Sequence, residues 1–366
     1  MQKIPRLLMI IDGMGDRLID ELGDKTPLQA ANIPVLDRLA AEGQCGVADP
    51  VKRGIVATTV LGTLAILGYD PLKHSIARGV IEAYGCEMKI MPGEVAFRGN
   101  WATLDNHGKI IDRRAGRIRE GTKELASSLN AIKIEDVSVE VGVGTEHRIA
   151  VVLRGEGLQD SLIGSDPGDH SHSGIKPRLP LALNKQDQKS VRTAKILNLF
   201  ELEARKILAR HPKNLERTSK GLLVANAILT REPGQIKAFP KIKRPSGFGL
   251  SGVCISGDDT ISGISLLTGL NVCKTPSMTA NMDTDLKQKF MFARKMLSKY
   301  GVVVLHIKGC DIAAHNREAK KKSEFLEKID AELGRFLNKW EGKLRIAVTA
   351  DHATWSKKGI HVDDPV

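Results

Sequence analysis

Short runs of apolar, β-favouring residues recur near both ends of the chain, and each run is followed by a polar residue that can bind a metal. One run precedes Asp12, a second precedes Asp311, and a third precedes the adjacent pair Asp351 and His352. Runs of this length and composition are typical of buried parallel strands. Because ligands of open α/β sheets gather beyond the carboxyl ends of the strands, these polar residues are expected at one edge of a sheet.

The region before residue 72 has the pattern of a strand, a helix, a second strand and a second helix. Its first helix is predicted to begin at Thr26 and to continue without a break to Gly43, which is the stop signal. Alternation of strands and helices over so short a segment favours an α/β fold.

The metal-type residues lie near both ends of the chain, so a domain that encloses them is discontinuous. We predict a core domain made of residues 1–74 and 246–366, with an α+β domain inserted between them over residues 75–245. Within the insertion, residues 145–155 have the pattern of a strand and residues 186–211 that of a long amphipathic helix. A Pro- and Lys-rich linker is expected where the chain returns to the core.

Six residues at the predicted strand ends have the chemistry of metal ligands. They are Asp12, Asp311, His315, Asp351, His352 and His361. A single Asp after a strand is usually a turn or cap residue, but here the pattern recurs in three segments. Carboxylates and imidazoles that converge need cations to offset their charge and desolvation. Mixed oxygen and nitrogen ligands suit Zn or Mn better than Ca, and six ligands are about right for two sites.

Composition narrows the classes of function. The 366-residue chain carries a net charge of +12, and its five cysteines include no CxxC pair, so a disulfide framework is not indicated and a reducing cytoplasm fits. No apolar stretch is long enough to span a membrane. Aromatic residues make up only 4%, and the run Lys320–Lys322 lies on a predicted amphipathic helix as its solvated face. We therefore predict neither a nucleic-acid nor a membrane partner, and the oligomeric state is left open.

Seven motifs, taken together, are similar to a known family. In chain order they are IIDGMGD, KTPLQAANIPVLDRLAAEG, LAILGYDP, ARGVIEAYG, DRRAGR, HIKGCDIAAH and TADHATW. They resemble the archaeal-type cofactor-independent phosphoglycerate mutases of the alkaline phosphatase superfamily. The resemblance implies an alkaline-phosphatase-like α/β core, with a mostly parallel sheet and helices on both faces, and an inserted α+β lid domain. The implied activity is the interconversion of 2-phosphoglycerate and 3-phosphoglycerate in glycolysis and gluconeogenesis.

The resemblance also implies a phospho-enzyme at two divalent metal ions (Mn, Zn or Mg), without 2,3-bisphosphoglycerate. The implied ligands are Asp12, Thr59, Asp351 and His352 for one ion, and Asp311, His315 and His361 for the other. The family nucleophile is a serine nine residues before a glycine, and that register gives Thr59, nine residues before Gly68. A threonine hydroxyl can be deprotonated at a metal and attack phosphorus.

Substrate recognition is implied for the inserted domain. The residues concerned are Arg78, Arg98, Asn100, Asp112, Arg113, Arg114, Arg117, His147 and Arg148, with Asp112 expected to orient the arginines. Arginine suits both anionic groups of a small phosphorylated acid because its guanidinium binds them in a bidentate manner. Any one of these arginines could instead be a surface charge. His170 and His172 are assigned to a substrate-side loop rather than to a third metal site.

Four departures from the family pattern leave other functions open. Family Asp and His residues that follow the nucleophile are Val60 and Thr63 here, and a family Lys is Ser262. The family also continues beyond Val366 with a strand and a helix, so a shortened or divergent tail is expected. These changes favour, as an alternative, a metal-dependent phosphomonoester or phosphonate hydrolase. A divergent non-catalytic paralogue is a third possibility, against which the complete ligand set weighs.

Overall fold

The computed structural model describes residues 4–168, 174–242 and 251–366. The strands, numbered along the chain, are β1 (Arg6–Ile11), β2 (Val95–Leu104), β3 (Ile110–Asp112), β4 (Lys133–Ile134), β5 (Val137–Val143), β6 (Arg148–Arg154), β7 (Leu162–Ile163), β8 (Leu181–Ala182), β9 (Ala227–Gly234), β10 (Gly252–Ile255), β11 (Asn271–Cys273), β12 (Val302–Ile307), β13 (Arg345–Thr349), β14 (Ala353–Trp355) and β15 (Ile360–Val362). The helices are α1 (Pro27–Ala30), α2 (Pro34–Glu42), α3 (Thr59–Ile66), α4 (Arg78–Gly85), α5 (Thr122–Leu129), α6 (Gln188–Ala209), α7 (Pro212–Ser219), α8 (Asp259–Thr268), α9 (Leu286–Leu297), α10 (Gly309–His315) and α11 (Ala319–Asn338), with a 3-10 helix at Asp20–Leu22.

The chain divides into two compact units. The first unit combines Met1–Ser75 with Pro240–Val366, and the second unit is Ile76–Phe239. The predicted return to the core, between residues 245 and 246, lies outside the described residues.

The first unit is built on a five-stranded sheet in the order β11-β10-β12-β1-β13, and every neighbouring pair is parallel. In its register, Ile10 lies beside both His306 and Thr349. The central strands therefore reach the same edge of the sheet at nearly the same level. The three apolar runs that the sequence pattern assigns to parallel strands are confirmed as β1, β12 and β13.

Helices cover both faces of this sheet. On one face, Leu7, Met9 and Ile11 of β1 are buried against apolar residues of α2, α9 and α11. On the other face, Ile10 is buried with Ile261 of α8, and the end of α3 packs beside them. Each fully buried aliphatic side chain contributes roughly 1.5–3 kcal/mol, so the central strand is fixed by packing on both sides.

Two predictions for the region before residue 72 are wrong. The helix that starts after Thr26 ends at Ala30, and a separate helix starts at Pro34, because proline has no N–H to continue a helix but fits its first turn. No strand forms in the described residues 43–58 either. That segment is mostly exposed and is interrupted by Gly and Pro, so it offers no buried face for a strand.

The second unit is built on an antiparallel sheet in the order β3-β2-β6-β5-β4, with β9 paired to the other side of β2. The amphipathic helix α6 buries Ile196, Leu197 and Phe200 in the same core as the sheet residues. The strand predicted over residues 145–155 is confirmed as β6, and the helix predicted over residues 186–211 is confirmed as α6.

One lysine of the run on α11 lies in the interior of the first unit. Lys320 and Lys321 are exposed as predicted, but the side chain of Lys322 is fully buried. Its ammonium group donates to Gly15 O at 2.9 Å, to Asp16 Oδ2 at 2.8 Å and to Thr354 O at 3.1 Å. Placing Lys322 on the solvated face was wrong, because three acceptors offset the cost of burying its charge.

Within the described ranges, every helix is too short or too polar to cross a membrane.

Candidate metal centre and anion-binding cluster

Three fully buried residues meet where β1 and β13 end. His352 Nε2 lies 3.2 Å from Asp12 Oδ1 and 3.4 Å from Asp351 Oδ2. Thr59 Oγ1 lies 3.2 Å from the same nitrogen. The structure thus brings together the four residues predicted for one ion, which we call the first ligand group.

Close backbone packing places these residues. Asp12 is followed by Gly13, which has a positive φ of 65°, and its N–H donates to Asp351 Oδ1 at 3.2 Å. On α3, a Cβ at Gly62 would lie 1.9 Å from the carbonyl oxygen of Asp351. Only glycine allows the helix to approach so closely. Thr59 therefore begins α3 within reach of the carboxylates, at a helix N-terminus that favours anions.

The second ligand group consists of Asp311, His315 and His361. Asp311 Oδ1 lies 3.3 Å from His315 Nε2 and 3.4 Å from His361 Nε2, and the two Nε2 atoms are 3.1 Å apart. The predicted helical spacing of Asp311 and His315 is confirmed, since both lie on α10. Each imidazole has its Nδ1 beside a backbone carbonyl, of Gly359 at 2.8 Å and of Ala57 at 3.0 Å. These carbonyls hold the proton on Nδ1 and leave the Nε2 lone pairs directed at the group.

His352 lies between the two groups. Its ring stacks on that of His361 with centroids 3.7 Å apart. Donor atoms within 4.8 Å of one another form the set Asp12, Asp351 and His352 and also the set Asp311, His352 and His361. The resemblance placed His352 with one ion only, whereas the geometry puts it beside carboxylates of both ligand groups.

The spacing of the donor atoms fits a metal. Ligands about 2.0–2.2 Å from a tetrahedral ion lie about 3.3–3.6 Å from one another. The separations in the two ligand groups run from 3.1 Å to 3.4 Å. Moreover, Asp12 Oδ1 and Asp351 Oδ2 are buried without a hydrogen-bond partner in the structure. Oxygen and nitrogen donors with unsatisfied lone pairs at this spacing suit a divalent ion such as Zn or Mn.

In the two ligand groups, burial and neighbouring charges shift the pKa values of the side chains strongly. Burial, and then the charge of Asp12, raises the pKa of Asp351 to about 6. Burial lowers the pKa of His352, but the charges of Asp351 and Asp12 outweigh it and raise this pKa to about 9. Burial also opposes ionisation of Asp12 and Asp311, but the charge of Lys308 holds the pKa of each well below its usual value. Anionic oxygens thus persist in a buried site.

Sequence reasoning missed three residues of this site, which are Lys308, Asp258 and His306, and His306 Nε2 lies 3.2 Å from Asp12 Oδ2. Lys308 Nζ lies 2.7 Å from Asp12 Oδ2, 3.1 Å from Asp311 Oδ2 and 3.6 Å from Asp258 Oδ2. The available signal was the spacing of Lys308, three residues before Asp311 and directly after β12. Asp258 offered only the pattern of a helix cap, which it also is, since its Oδ1 accepts from Thr260 N at 2.8 Å.

In the second unit, neighbouring strands bring basic side chains together. Arg98 and Asn100 of β2 lie opposite residues of two strands, with Asn100 beside Arg148 of β6 and Arg98 beside Arg231 of β9. Burial lowers the pKa of Arg98 to about 10, against the charge of the nearby Glu82. The sequence analysis did not single out Arg231, although it follows a buried apolar run in β9.

His147 identifies further members of this cluster. It is buried, and burial followed by the charges of Arg148, Arg114, Arg117 and Arg98 lowers its pKa to about 3. His147 is therefore neutral among cations. We call the whole set the arginine cluster, which consists of Arg78, Arg98, Arg114, Arg117, His147, Arg148 and Arg231.

Carboxylates fix several of these guanidinium groups. Arg78 pairs with the buried Glu82 at 2.8 Å, and Arg98 lies 3.5 Å from the same carboxylate. Arg98 also lies 3.4 Å from Glu232. These partners hold the side chains of Arg78 and Arg98 in place.

Arg113 and Asp112, which are adjacent in the chain, bind different partners. Arg113 binds the buried Asp166 through two nitrogens, at 2.8 Å and 2.5 Å from Oδ1. Arg231 lies 3.7 Å from the other oxygen of Asp166. Asp112 Oδ1 accepts from the backbone N of Arg114 at 2.5 Å. Asp166 thus orients the guanidinium of Arg113, and Oδ1 of Asp112 is engaged in the turn. His170 and His172 lie outside the described residues.

Comparison with known proteins is consistent with this geometry. A parallel sheet with clustered donors at its carboxyl edge puts the chain in the class of α/β proteins whose functional site lies at the strand ends. A family model described as 2,3-bisphosphoglycerate-independent phosphoglycerate mutase matches residues 40–214. A relative from Archaeoglobus fulgidus, called 2,3-bisphosphoglycerate-independent phosphoglycerate mutase 1, is 41% identical over 99% of this chain and 88% of the relative. The Picrophilus torridus 2,3-bisphosphoglycerate-independent phosphoglycerate mutase is 38% identical, over 98% of this chain and 87% of the relative.

Solved structures agree. The cofactor-independent phosphoglycerate mutase from Thermoplasma acidophilum is 32% identical with a TM-score of 0.63, over 95% of this chain and 87% of that one. The PH0037 protein from Pyrococcus horikoshii is 28% identical with a TM-score of 0.81, over 100% of this chain and 86% of that one. The chain belongs to the 2,3-bisphosphoglycerate-independent phosphoglycerate mutase family, which confirms the resemblance drawn from the motifs.

Proposed function

We propose that this chain interconverts 2-phosphoglycerate and 3-phosphoglycerate, with Thr59 as the residue that carries the phosphoryl group in between. The observation that carries the proposal is the position of the Thr59 hydroxyl, 3.2 Å from His352 Nε2 within the first ligand group. The relatives named above are called mutases that do not depend on 2,3-bisphosphoglycerate. We extend that property to this chain, so that the phosphoryl donor is the substrate itself.

Two divalent ions, of Mn, Zn or Mg, are part of the proposal. The residues that would hold them are Asp12, Thr59, Asp351 and His352 for one ion, and Asp311, His315 and His361 for the other. When bound, such ions lower the pKa of a coordinated hydroxyl and neutralise negative charge on the phosphoryl oxygens. The donor spacing and the two unpartnered carboxylate oxygens support this assignment.

The proposed reaction transfers one phosphoryl group through Thr59 and conserves atoms and charge. Thr59 Oγ attacks phosphorus, the Oγ–P bond forms, and the bond from phosphorus to the 3-oxygen of glycerate breaks. The proton lost from the hydroxyl of Thr59 is balanced by the proton that the departing oxygen gains. The 2-oxygen of glycerate then attacks phosphorus and the Oγ–P bond breaks. The proton lost from the 2-hydroxyl group is balanced by the proton that restores the hydroxyl of Thr59. The N-terminus of α3 stabilises the negative phosphoryl group in the phospho-enzyme.

The arginine cluster is proposed to bind the carboxylate and the phosphate of the substrate. The supporting observation is Arg98, which lies near the charges of Arg78, Arg148 and Arg231 and whose buried Nε has no hydrogen-bond partner in the structure, because such a guanidinium favours an anionic ligand. Arg113, held by Asp166, and Asn100, beside Arg148, belong to the same region. In this proposal residues 75–245 act as a substrate-binding lid domain, and the remainder is an alkaline-phosphatase-like core.

A second candidate is hydrolysis, in which water takes the phosphoryl group from Thr59. The observation that favours it lies at the positions where the family has His and Lys. Thr63 is buried with its hydroxyl unpartnered in the structure, and Ser262 donates to the carbonyl of Asp258 at 3.1 Å. Neither residue offers a titratable group to hold substrate and exclude water.

One assay separates these functions. The protein is incubated with Mn and 3-phosphoglycerate, without 2,3-bisphosphoglycerate, and both 2-phosphoglycerate and free phosphate are measured. A mutase forms 2-phosphoglycerate in the amount of substrate consumed. If free phosphate accumulates as fast as substrate disappears, the hydrolase reading stands instead. If neither product forms with fully metal-loaded protein, the chain is a non-catalytic member of its family.

A further inference from the structure

The two ligand groups are joined by a lysine. Asp12 and Asp311 each present one oxygen to a ligand group, since Asp12 Oδ1 lies 3.2 Å from His352 Nε2 and Asp311 Oδ1 lies 3.3 Å from His315 Nε2. The second oxygen of each carboxylate faces Lys308, whose Nζ lies 2.7 Å from Asp12 Oδ2 and 3.1 Å from Asp311 Oδ2. The ammonium group therefore bridges one carboxylate of each group.

We propose that Lys308 is a positioning residue that sets the separation of the two ligand groups by holding the carboxylates of Asp12 and Asp311 at once. The inference rests on the proposed metal centre and adds a residue to it. Lys308 would act through the ligands rather than on the substrate, because its ammonium group is turned to their outer oxygens. Partners of this kind orient metal ligands and tune the sites that they form.

Lys308 is itself held in place. Its backbone is the N-cap of α10, directly after β12, and its side chain is only 9% exposed. A third carboxylate, Asp258, lies 3.6 Å from the ammonium group through Oδ2. Asp258 is fixed in turn as the N-cap of α8, because its Oδ1 accepts from Thr260 N at 2.8 Å. An ammonium group has three donors, and here three carboxylates from three different segments surround it.

A different role would leave a different signature. If Lys308 only neutralises charge, replacing it with a neutral residue removes a competing cation and makes both ions bind more tightly. If Lys308 positions the ligands, its loss lets the carboxylates of Asp12 and Asp311 move apart. Losing an outer partner of metal ligands lowers metal affinity about 10–100-fold. The sign of the change in affinity therefore distinguishes positioning from simple charge balance.

The test is a Mn²⁺ titration of metal-free protein, followed by calorimetry and by electron paramagnetic resonance of the loaded sample. Wild type is expected to bind two ions with a spin–spin coupling that reports their separation. Lys308→Met, of similar length and neutral, is expected to bind both ions about 10–100-fold more weakly with an altered coupling. Asp258→Asn keeps the ammonium group but loosens it, so a smaller weakening at both sites is expected.

Lys289→Met is the matched control. Lys289 is also a buried lysine of the first unit, and its Nζ donates to His306 O at 2.9 Å without a contact to a ligand carboxylate. It is expected to cost stability but to keep both affinities and the coupling. Apo-protein melting curves show which variants are folded, and Asp258→Asn decides the matter if Lys308→Met does not fold.

The outcomes separate this inference from the proposed function. Two coupled ions in wild type, with equal or tighter binding and unchanged coupling in Lys308→Met or Asp258→Asn, would overturn the role of Lys308 and leave the metal centre standing. Weakening of one site alone would also overturn it, since a bridge must affect both. Wild-type protein that binds no Mn²⁺ overturns the metal centre itself, and the inference with it.

Discussion

The two charged regions of this protein are opposite in sign. In the first unit, the buried carboxylates of Asp12, Asp258 and Asp311 surround one ammonium group, that of Lys308, and a donor atom of the buried Asp351 lies within 4.8 Å of those of Asp12 and His352. In the second unit, Arg98 lies near the charges of Arg78, Arg148 and Arg231, and its buried Nε has no hydrogen-bond partner in the structure. Buried charge that is not fully paired favours a ligand of opposite sign. The first region thus suits divalent cations, and the second suits a phosphate or a carboxylate.

The regions also differ in how the fold assembles them. The donors of the first unit come from segments about 300 residues apart along the chain, and meet because parallel strands end at one edge. In the second unit, Arg98 of β2 lies opposite Arg231 of β9, and Asn100 of β2 lies opposite Arg148 of β6. Long-range packing thus fixes the candidate metal centre, while strand register fixes part of the arginine cluster. Substitutions should accordingly affect turnover in the first region and substrate affinity in the second.

The largest effect is expected from Thr59→Ala. Without the hydroxyl no phospho-enzyme can form, so kcat should fall by at least about three orders of magnitude. The KM for 3-phosphoglycerate should change little, because the arginine cluster is untouched. Steady-state kinetics measures both constants, and mass spectrometry of acid-quenched wild type should place the phosphate on Thr59.

Two neighbouring substitutions serve as controls for Thr59→Ala. Thr59→Ser keeps a hydroxyl and should keep most activity. Thr58→Ala removes the cap that accepts from Leu61 N at 3.3 Å, which should cost about 1 kcal/mol of stability but retain turnover. Full activity in Thr59→Ala, or phosphate found on Thr58 or Thr63, would rule out Thr59 as the carrier.

The candidate metal centre shows what a sequence pattern can predict. Apolar runs revealed β1, β12 and β13, and the position after each run indicated the candidate ligands, because strand and strand end are local features. Lys308 and Asp258 were missed because each is significant only through distant neighbours. The register that brings Lys308 beside Asp12 is a property of the assembled sheet, as is the burial of Lys322.

For the second unit, the motifs indicated arginines that the fold brings near one another, but not the partners of those arginines. Asn100 and Arg148 were identified through family resemblance, whereas their opposition across β2 and β6 depends on register. Asp166 was overlooked because it lies in a Gly- and Pro-containing segment that looked like an ordinary loop. A buried ion pair needs three-dimensional context, since neither residue is unusual in its own segment.

An intermediate effect is expected from Arg114→Ala. Losing a charged hydrogen-bond donor to an anion costs roughly 1.5–3 kcal/mol, so KM should rise by about one to two orders of magnitude. Metal content, measured by elemental analysis, should stay at the wild-type level because Arg114 belongs to the second unit. Arg192→Ala is the control. Arg192 lies on α6 of the same unit and pairs with Asp136, so its replacement should leave KM unchanged. Unaltered kinetics in Arg114→Ala would reduce it to a surface charge.

The smallest effect on turnover is expected from Glu201→Gln. Glu201 is a side chain of the second unit whose carboxyl group carries little negative charge below neutral pH. Glu201 is buried, and its Oε1 accepts from Ser165 Oγ and from Thr230 Oγ1, each at 2.7 Å. Burial raises the pKa of Glu201 from 4.5 to about 7, against both hydrogen bonds. In the folded protein Glu201 therefore ionises only near or above neutral pH.

This shift sets a pH window for stability. Because the folded pKa of Glu201 is raised, its contribution is fully present below pH 4.5 and is lost as pH rises through about 7. Glu201→Gln keeps an oxygen that can accept both hydroxyls but does not ionise. Relative to this variant, wild type should lose on the order of 3 kcal/mol between those limits, seen in urea unfolding at a series of pH values. Kinetics should be unchanged. A constant difference across that range would show that Glu201 is already ionised, and would add one more carboxylate to the charge balance of the arginine cluster.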